Sequence, residues 1–222
     1  MTFKQELEQM RQEYVANSPA DVYNEINRLI TEQQQAGQAF GLEVGQEIGL
    51  HGAQKTKDFT LNNTLGQPVN LYDELAKGPV VLTFYRGGWC PFCNMQLRSY
   101  QKVLPQIEAI GGQLIAVSPQ SPDNTLTQKE KEELEFQVLS DTNGLVAAAY
   151  NILYDVPDYI KDIFLNKFNL DLAEYNATNR WILPITSTFM IDESGIVRSA
   201  YVEPDYMKRP DPEDILERLR HL

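Results

Sequence analysis

Residues 80–98 read Val80-Val81-Leu82-Thr83-Phe84-Tyr85-Arg86-Gly87-Gly88-Trp89-Cys90-Pro91-Phe92-Cys93-Asn94-Met95-Gln96-Leu97-Arg98, and this stretch decides the fold. Residues 80–85 are short, mostly apolar, and rich in β-branched and aromatic side chains, the pattern of a strand covered on both faces. Gly87 and Gly88 then permit a tight turn. Pro91 suits the first turn of a helix, where its missing N–H costs nothing. Leu97, Tyr100, Leu104 and Ile107 follow at helical spacing. The stretch is predicted to run strand, turn, helix, with the chain's two cysteines, Cys90 and Cys93, at the helix start.

A thiol at a helix start meets unpaired backbone N–H groups and the positive end of the helix dipole. Both favour the thiolate, so the pKa of Cys90 is expected to fall. Cys93 lies three residues on, on the same helix face, and the pair can close a disulfide within one turn. Arg86, just upstream, adds a positive charge that can stabilise the thiolate. Two other readings stand beside this one. Free cysteines are often small buried hydrophobes. A zinc site asks for four ligands, and beyond this pair the chain has only His51 and His221, isolated near opposite ends. A purely structural disulfide across so short a loop constrains little chain entropy. A Cys-x-x-Cys between a strand and a helix points instead to a redox pair, with no metal and no cofactor.

The stretch resembles the active-site turn of thioredoxin-fold proteins. More widely the chain resembles the AhpC/TSA peroxiredoxin-like family, in the branch that carries Arg86-Gly87-Gly88-Trp89-Cys90-Pro91-Phe92-Cys93. Lys57-Asp58-Phe59-Thr60-Leu61 looks like that family's opening strand, Val138-Leu139-Ser140-Asp141 like a later strand end, and Ser187-Thr188-Phe189-Met190-Ile191-Asp192 like its return strand. The resemblance implies an α/β, thioredoxin-like fold, a central mixed β-sheet flanked by helices, here with an N-terminal helical extension. It implies a thiol-dependent peroxidase. Cys90 would attack hydrogen peroxide or an organic hydroperoxide and become a sulfenic acid. Cys93 would condense with it, and thioredoxin or a similar dithiol would reduce the resulting disulfide. Two departures bear on this. The family's loop carries a peroxide-binding hydroxyl three residues before the attacking cysteine, where this chain has Gly87. Three residues before Phe189, where redoxins often place a proline, stands Thr186, and its hydroxyl or that of Ser187 is expected to serve the site in place of the missing one. The alternatives are a thiol–disulfide oxidoreductase without peroxidase activity and a redox-sensing interaction protein.

Composition is that of an ordinary globular protein, 42% hydrophobic and 23% charged,. A net charge of −12 repels nucleic-acid phosphates and anionic membrane surfaces, so neither is expected as a partner. No apolar signal region or membrane-length apolar run is visible, and a cytoplasmic location is expected. Residues 1–50 read as a helical arm and linker. Phe3, Leu7, Met10 and Tyr14 make one apolar stripe and Val22, Ile26, Leu29 and Ile30 a second, with Ser18 as N-cap between them. Gly37, Gly41, Gly45 and Gly49 mark the linker. The arm packs either on its own domain or on a second copy of the chain in a homodimer.

Residues 51–222 read as the redox domain. A hairpin is predicted over 59–71, then a short helix, and a strand at 114–117 parallel to the first. Pro105 is expected to kink the helix after the cysteines. A third strand at 136–139 and a hairpin turning on Asp192-Glu193-Ser194-Gly195 follow. Asp211 and Pro212 open a last helix. An insertion at about 151–183 is expected to hold at least one helix, from about Pro157 to Phe168, and to gather its aromatics (Tyr154, Tyr159, Phe164, Phe168, Tyr175, Trp181) into a small core of its own, although they can also line a groove.

Overall fold

The structure, a computed structural model, describes residues 1–39, 47–48 and 54–222. The expected linker glycines Gly41, Gly45 and Gly49, the 50/51 boundary and His51 lie outside the described residues, while Gly37 falls inside a helix. In chain order the elements are α1 (Phe3–Asn17), α2 (Ala20–Ala39), β1 (Glu47–Ile48), β2 (Gln54–Lys55), β3 (Thr60–Asn62), β4 (Pro68–Asn70), α3 (Leu71–Leu75), β5 (Val80–Phe84), α4 (Pro91–Ala109), β6 (Gln113–Ser118), α5 (Pro122–Lys131), β7 (Gln137–Ser140), α6 (Leu145–Ala149), β8 (Leu153–Asp155), α7 (Asp158–Asn166), α8 (Leu172–Tyr175), β9 (Ile182–Pro184), β10 (Thr186–Ile191), β11 (Ile196–Glu203) and α9 (Pro212–Leu219).

The run of apolar residues over 80–84 is buried at every position, which is why it lies mid-sheet. The strand order is β1–β11–β10–β5–β6–β7, with β2 also on β11. β5, β6 and β7 are parallel, as the intervening helices require,. β10 runs antiparallel to β5 with Phe189 opposite Leu82, and β11 runs antiparallel to β10. Alternation along β5 divides its side chains between two cores. Val81 and Tyr85 face α4, α9 and α2, whereas Val80, Leu82 and Phe84 face α3 and α6. Each large apolar side chain so covered contributes about 2 kcal/mol. The arrangement is the expected mixed α/β sheet with helices on both faces. The β10–β11 turn also forms as read: Asp192 Oδ1 accepts from the Ser194 and Ile196 N–H groups, and Gly195 takes the left-handed φ of 77°. Pro105 lies inside α4, which continues to Ala109.

The arm packs on its own chain. Val22, Ile26, Leu29 and Ile30 are buried in the core beside α4, with Leu7, Met10 and Tyr14 partly buried against it. Thr2 and Gln5 close a capping box on α1,. Ser18, expected to cap α2, turns its hydroxyl back to donate to the Tyr14 carbonyl at 2.6 Å. The insertion differs more from expectation. It contains a strand pair, β8 with β9, and its aromatics do not form a separate core. Tyr154, Tyr159, Phe164 and Trp181 pack into the core shared with α4 and the arm, because α7 lies against α2 and closes over the helix start.

Candidate active site

Cys90 is the N-cap of α4 and Pro91 its first residue. The turn before it needs glycine at Gly87, where φ is 148° and a Cβ would lie 2.5 Å from Trp89 Nε1. A ring of buried and part-buried hydrogen bonds holds the turn from the other side. The Gly88 N–H donates to Gln120 Oε1 at 2.9 Å, and Gln120 Nε2 donates to Gln128 Oε1 at 2.7 Å. Gln128 Nε2 donates to Asn94 Oδ1 at 2.7 Å, and Asn94 Nδ2 returns to the Gly88 carbonyl at 2.8 Å. The Tyr85 hydroxyl sits inside this ring, donating to Gln128 Oε1 at 2.8 Å and accepting from Gln120 Nε2 at 3.0 Å. Fully satisfied networks of this kind select one arrangement, since a member left unpaired in the interior is costly.

Both thiols are free and buried, Cys90 1% and Cys93 0% exposed. They hydrogen-bond each other. Arg209, from the loop between β11 and α9, donates from Nη2 to Cys93 Sγ at 3.3 Å. Burial works against ionising Cys93. The hydrogen bond from Cys90, the charges of Arg209 and Arg86 and the Arg86 backbone N–H outweigh it, and Cys93 is pulled down to about 5. Cys90 is pushed well up, first by burial and then by its bond to Cys93 and the charge there. The two thiols titrate as one unit, and its first negative charge is favoured on Cys93, the sulfur that Arg209 reaches. The expectation that Cys90 is the lowered thiol is thus corrected. Although Cys90 stands at the helix start, its side chain makes no capping hydrogen bond there, whereas a guanidinium and a backbone N–H reach Cys93.

Arg86 is 5% exposed. Its guanidinium lies over three aromatic faces, 3.9 Å from the Tyr206 centroid, 4.7 Å from Trp89 and 5.9 Å from Phe164, a favourable setting for a cation. Tyr206 is fixed in turn by its hydroxyl 3.1 Å from that of Tyr14 on the arm. Cys90, and not Cys93, lines a cavity of about 260 Å³ whose walls include Arg86, Trp89, Phe92, Ile26, Leu29 and Phe164. Arg86 Nε and Trp89 Nε1 are buried donors with no hydrogen-bond partner.

Of the residues expected at the site, Cys90, Cys93 and Arg86 come together. Thr186 is placed at the start of β10, where its hydroxyl donates to the Glu203 carbonyl at 2.8 Å; its single proton is used there. Ser187 likewise donates to the Ile185 carbonyl at 2.8 Å. Sequence reasoning missed Arg209, which stands in a polar loop with no periodic or motif signal, and missed Gln120, Gln128 and Asn94. Among the described residues no helix is long and apolar enough to cross a membrane.

The AhpC/TSA family model matches residues 53–200. The chain is 30% identical over 149 residues to peroxiredoxin Bcp of Bacillus subtilis, covering 67% of this chain and 80% of that protein. It is 27% identical over 154 residues to a putative peroxiredoxin bcp of Coxiella burnetii, covering 69% and 89%. Among solved structures, peroxidoxin BcpB from Mycobacterium tuberculosis has the same fold, with a TM-score of 0.62 at 20% identity over 77% of this chain and 96% of that one. With about two thirds of its length matched, the chain belongs to the AhpC/TSA family.

Proposed function

We propose that the chain is a thiol-dependent peroxidase that reduces hydrogen peroxide and organic hydroperoxides, with Cys90 as the attacking sulfur and Cys93 as the resolving one. The family implies a peroxide substrate and a reductant. The observation that carries the roles is the division of labour in the pair: Cys90 lines the cavity, and Cys93 accepts a hydrogen bond from Arg209. Transfer of the Cys90 proton to Cys93 along their hydrogen bond leaves a thiolate facing the cavity. It attacks one oxygen of the O–O bond, and the departing oxygen takes a proton and leaves as alcohol or water. Arg86 stabilises that developing oxyanion, and the unpartnered N–H groups of Arg86 and Trp89 stand in for the hydroxyl that Gly87 lacks,. Cys93 then attacks the sulfenic sulfur, water leaves, and a Cys90–Cys93 disulfide remains. Thioredoxin or another dithiol in the cytoplasm resets the pair by exchange. A homodimer is not needed, because the apolar stripes of the arm are used within one chain.

The test is stopped-flow oxidation of the reduced protein by hydrogen peroxide and by cumene hydroperoxide, set against its reduction of insulin. Peroxide oxidation far faster than that of free cysteine is expected. Slow peroxide oxidation with rapid insulin reduction would favour the second reading, a disulfide oxidoreductase, for which the absent hydroxyl at Gly87 speaks. In the same assay Thr186→Val is expected to leave the rate unchanged and to cost about 1 kcal/mol of stability, the usual worth of one hydrogen bond. A clear loss of rate would return the Thr186 hydroxyl to the site.

A further inference from the structure

We infer that Arg209 is the counter-ion of the cysteine pair and that, together with Arg86, it makes the Cys90–Cys93 disulfide strongly oxidising. The inference rests on the reading that these two cysteines form a disulfide. Its basis is a count of buried charge. Arg209 is 7% exposed and Arg86 5%. The Nε of each has no hydrogen-bond partner, and neither guanidinium has a carboxylate ion-pair partner among the described residues. The nearby acidic groups make their contacts with other residues: Asp211 pairs with Lys4 at 3.5 Å, and Glu203 acts on Arg209 through space without forming an ion pair. Glu203 Oε1 accepts from the Asp205 N–H at 2.9 Å, and Asp205 pairs with Lys208 at 3.8 Å. The anion in contact with Arg209 is the Cys93 sulfur.

The loop that carries Arg209 is built to hold it there. The Met207 N–H donates to Asp205 Oδ1 at 3.1 Å, the Lys208 N–H to the Asp205 carbonyl at 2.8 Å, and Arg209 Nη1 to the Lys208 carbonyl at 3.3 Å. Asp211 then caps α9, with Pro212 at its first turn. Arg209 thus stands between two fixed points.

Oxidation removes the charge that the two guanidiniums face. One thiol and one thiolate react with ROOH and one proton to give the disulfide, ROH and water, and two electrons pass from the sulfurs into the O–O bond. The sulfur pair becomes neutral, and the guanidiniums, which do not deprotonate in proteins, stay charged. A buried charge that loses its partner is strongly destabilising. The penalty falls on the oxidised form alone, so it raises the reduction potential of the pair. A dithiol reductant, which gives up two electrons and two protons to become a disulfide, then resets the enzyme downhill. The short Cys-x-x-Cys loop offers little entropy to offset this.

The test equilibrates the full-length protein in mixtures of reduced and oxidised dithiothreitol, traps free thiols with a maleimide after denaturation, and reads the disulfide fraction by mass spectrometry. R209M is expected to move the equilibrium about tenfold toward the disulfide, about 30 mV for a two-electron couple, and R209K to recover most of that shift. A second measurement needs no variant: reduced wild type should melt above oxidised wild type. An R209M curve that overlays the wild type, a charge-blind effect in which R209K moves as far as R209M, or an oxidised form that melts at or above the reduced form would each overturn the inference, as would failure to form the disulfide at all. Peroxide consumption is assayed separately. A protein with the expected poise that ignores peroxide would remove the peroxidase reading and leave this one standing.

Discussion

Cys90→Ser should end turnover, with a loss of at least about a thousandfold, because no other group in the cavity can attack an O–O bond. Cys93→Ser should behave differently. Cys90 still faces the cavity and Arg86 still lies close by, so the variant should react once and stop as a sulfenic acid that dimedone traps on Cys90. That single reaction should be slower than in the wild type by about a hundredfold, since the sulfur that accepts the Cys90 proton is gone. Wild-type protein treated with peroxide should lose two hydrogens by mass and run as a monomer on a non-reducing gel. Two results would count against this scheme. A sulfenic acid on Cys93 in Cys90→Ser would exchange the roles, and a covalent dimer as main product would rule out the internal disulfide.

The second large effect is expected from Gln128→Leu, a change 35 residues along the chain from Cys93. The Gln128 side chain accepts from Tyr85 and Gln120 and donates to Asn94. Leucine keeps much of the volume and takes one hydrogen bond from each of three polar groups, leaving the buried Tyr85 O–H without its acceptor and Asn94 Oδ1 without its donor, while Gln120 keeps its bond to Tyr85. Leaving even part of that set unpaired costs about 3 kcal/mol, or roughly a 10 °C fall in Tm for a chain of this size. Because the ring begins and ends at Gly88, the active-site turn should loosen as well, and cysteine oxidation should slow in proportion. A Tm within 2 °C of wild type, where thermal scans of this kind resolve roughly 0.5 kcal/mol, would show that the ring is not what holds the turn.

The parts of this molecule that were legible in sequence are those specified locally. The buried run at β5, the Gly87–Gly88 turn, Pro91 at the start of α4 and the Asp192–Gly195 hairpin each carry their own chemistry within a few residues. The rest depends on contacts between distant segments. Gln120 and Gln128 look like any polar loop and helix residues until the fold brings them beneath Gly88. Arg209 is one of 19 basic residues, and only the return of the chain after β11 brings it to Cys93. The lowered thiol is hidden for the same reason: local logic sees a helix start at Cys90, whereas the guanidinium that reaches Cys93 lies 116 residues away. Tyr154, Phe164 and Trp181 look like a separate core in sequence, because a run of aromatics does not say which surface it covers.

Both sulfurs and the family match fall within residues 53–200, yet the chamber above them does not. Tyr14, Ile26 and Leu29 form part of its wall from the N-terminal side, and Tyr206 closes it from the C-terminal side. A fragment trimmed to the region shared with relatives would keep the Cys-x-x-Cys and Arg86 but discard Tyr14, Ile26, Leu29 and Tyr206 from the chamber wall and Arg209 beside Cys93. The unit that works as one piece is therefore wider than the unit that similarity outlines, and anyone transplanting this redox motif into another scaffold must carry both flanks with it.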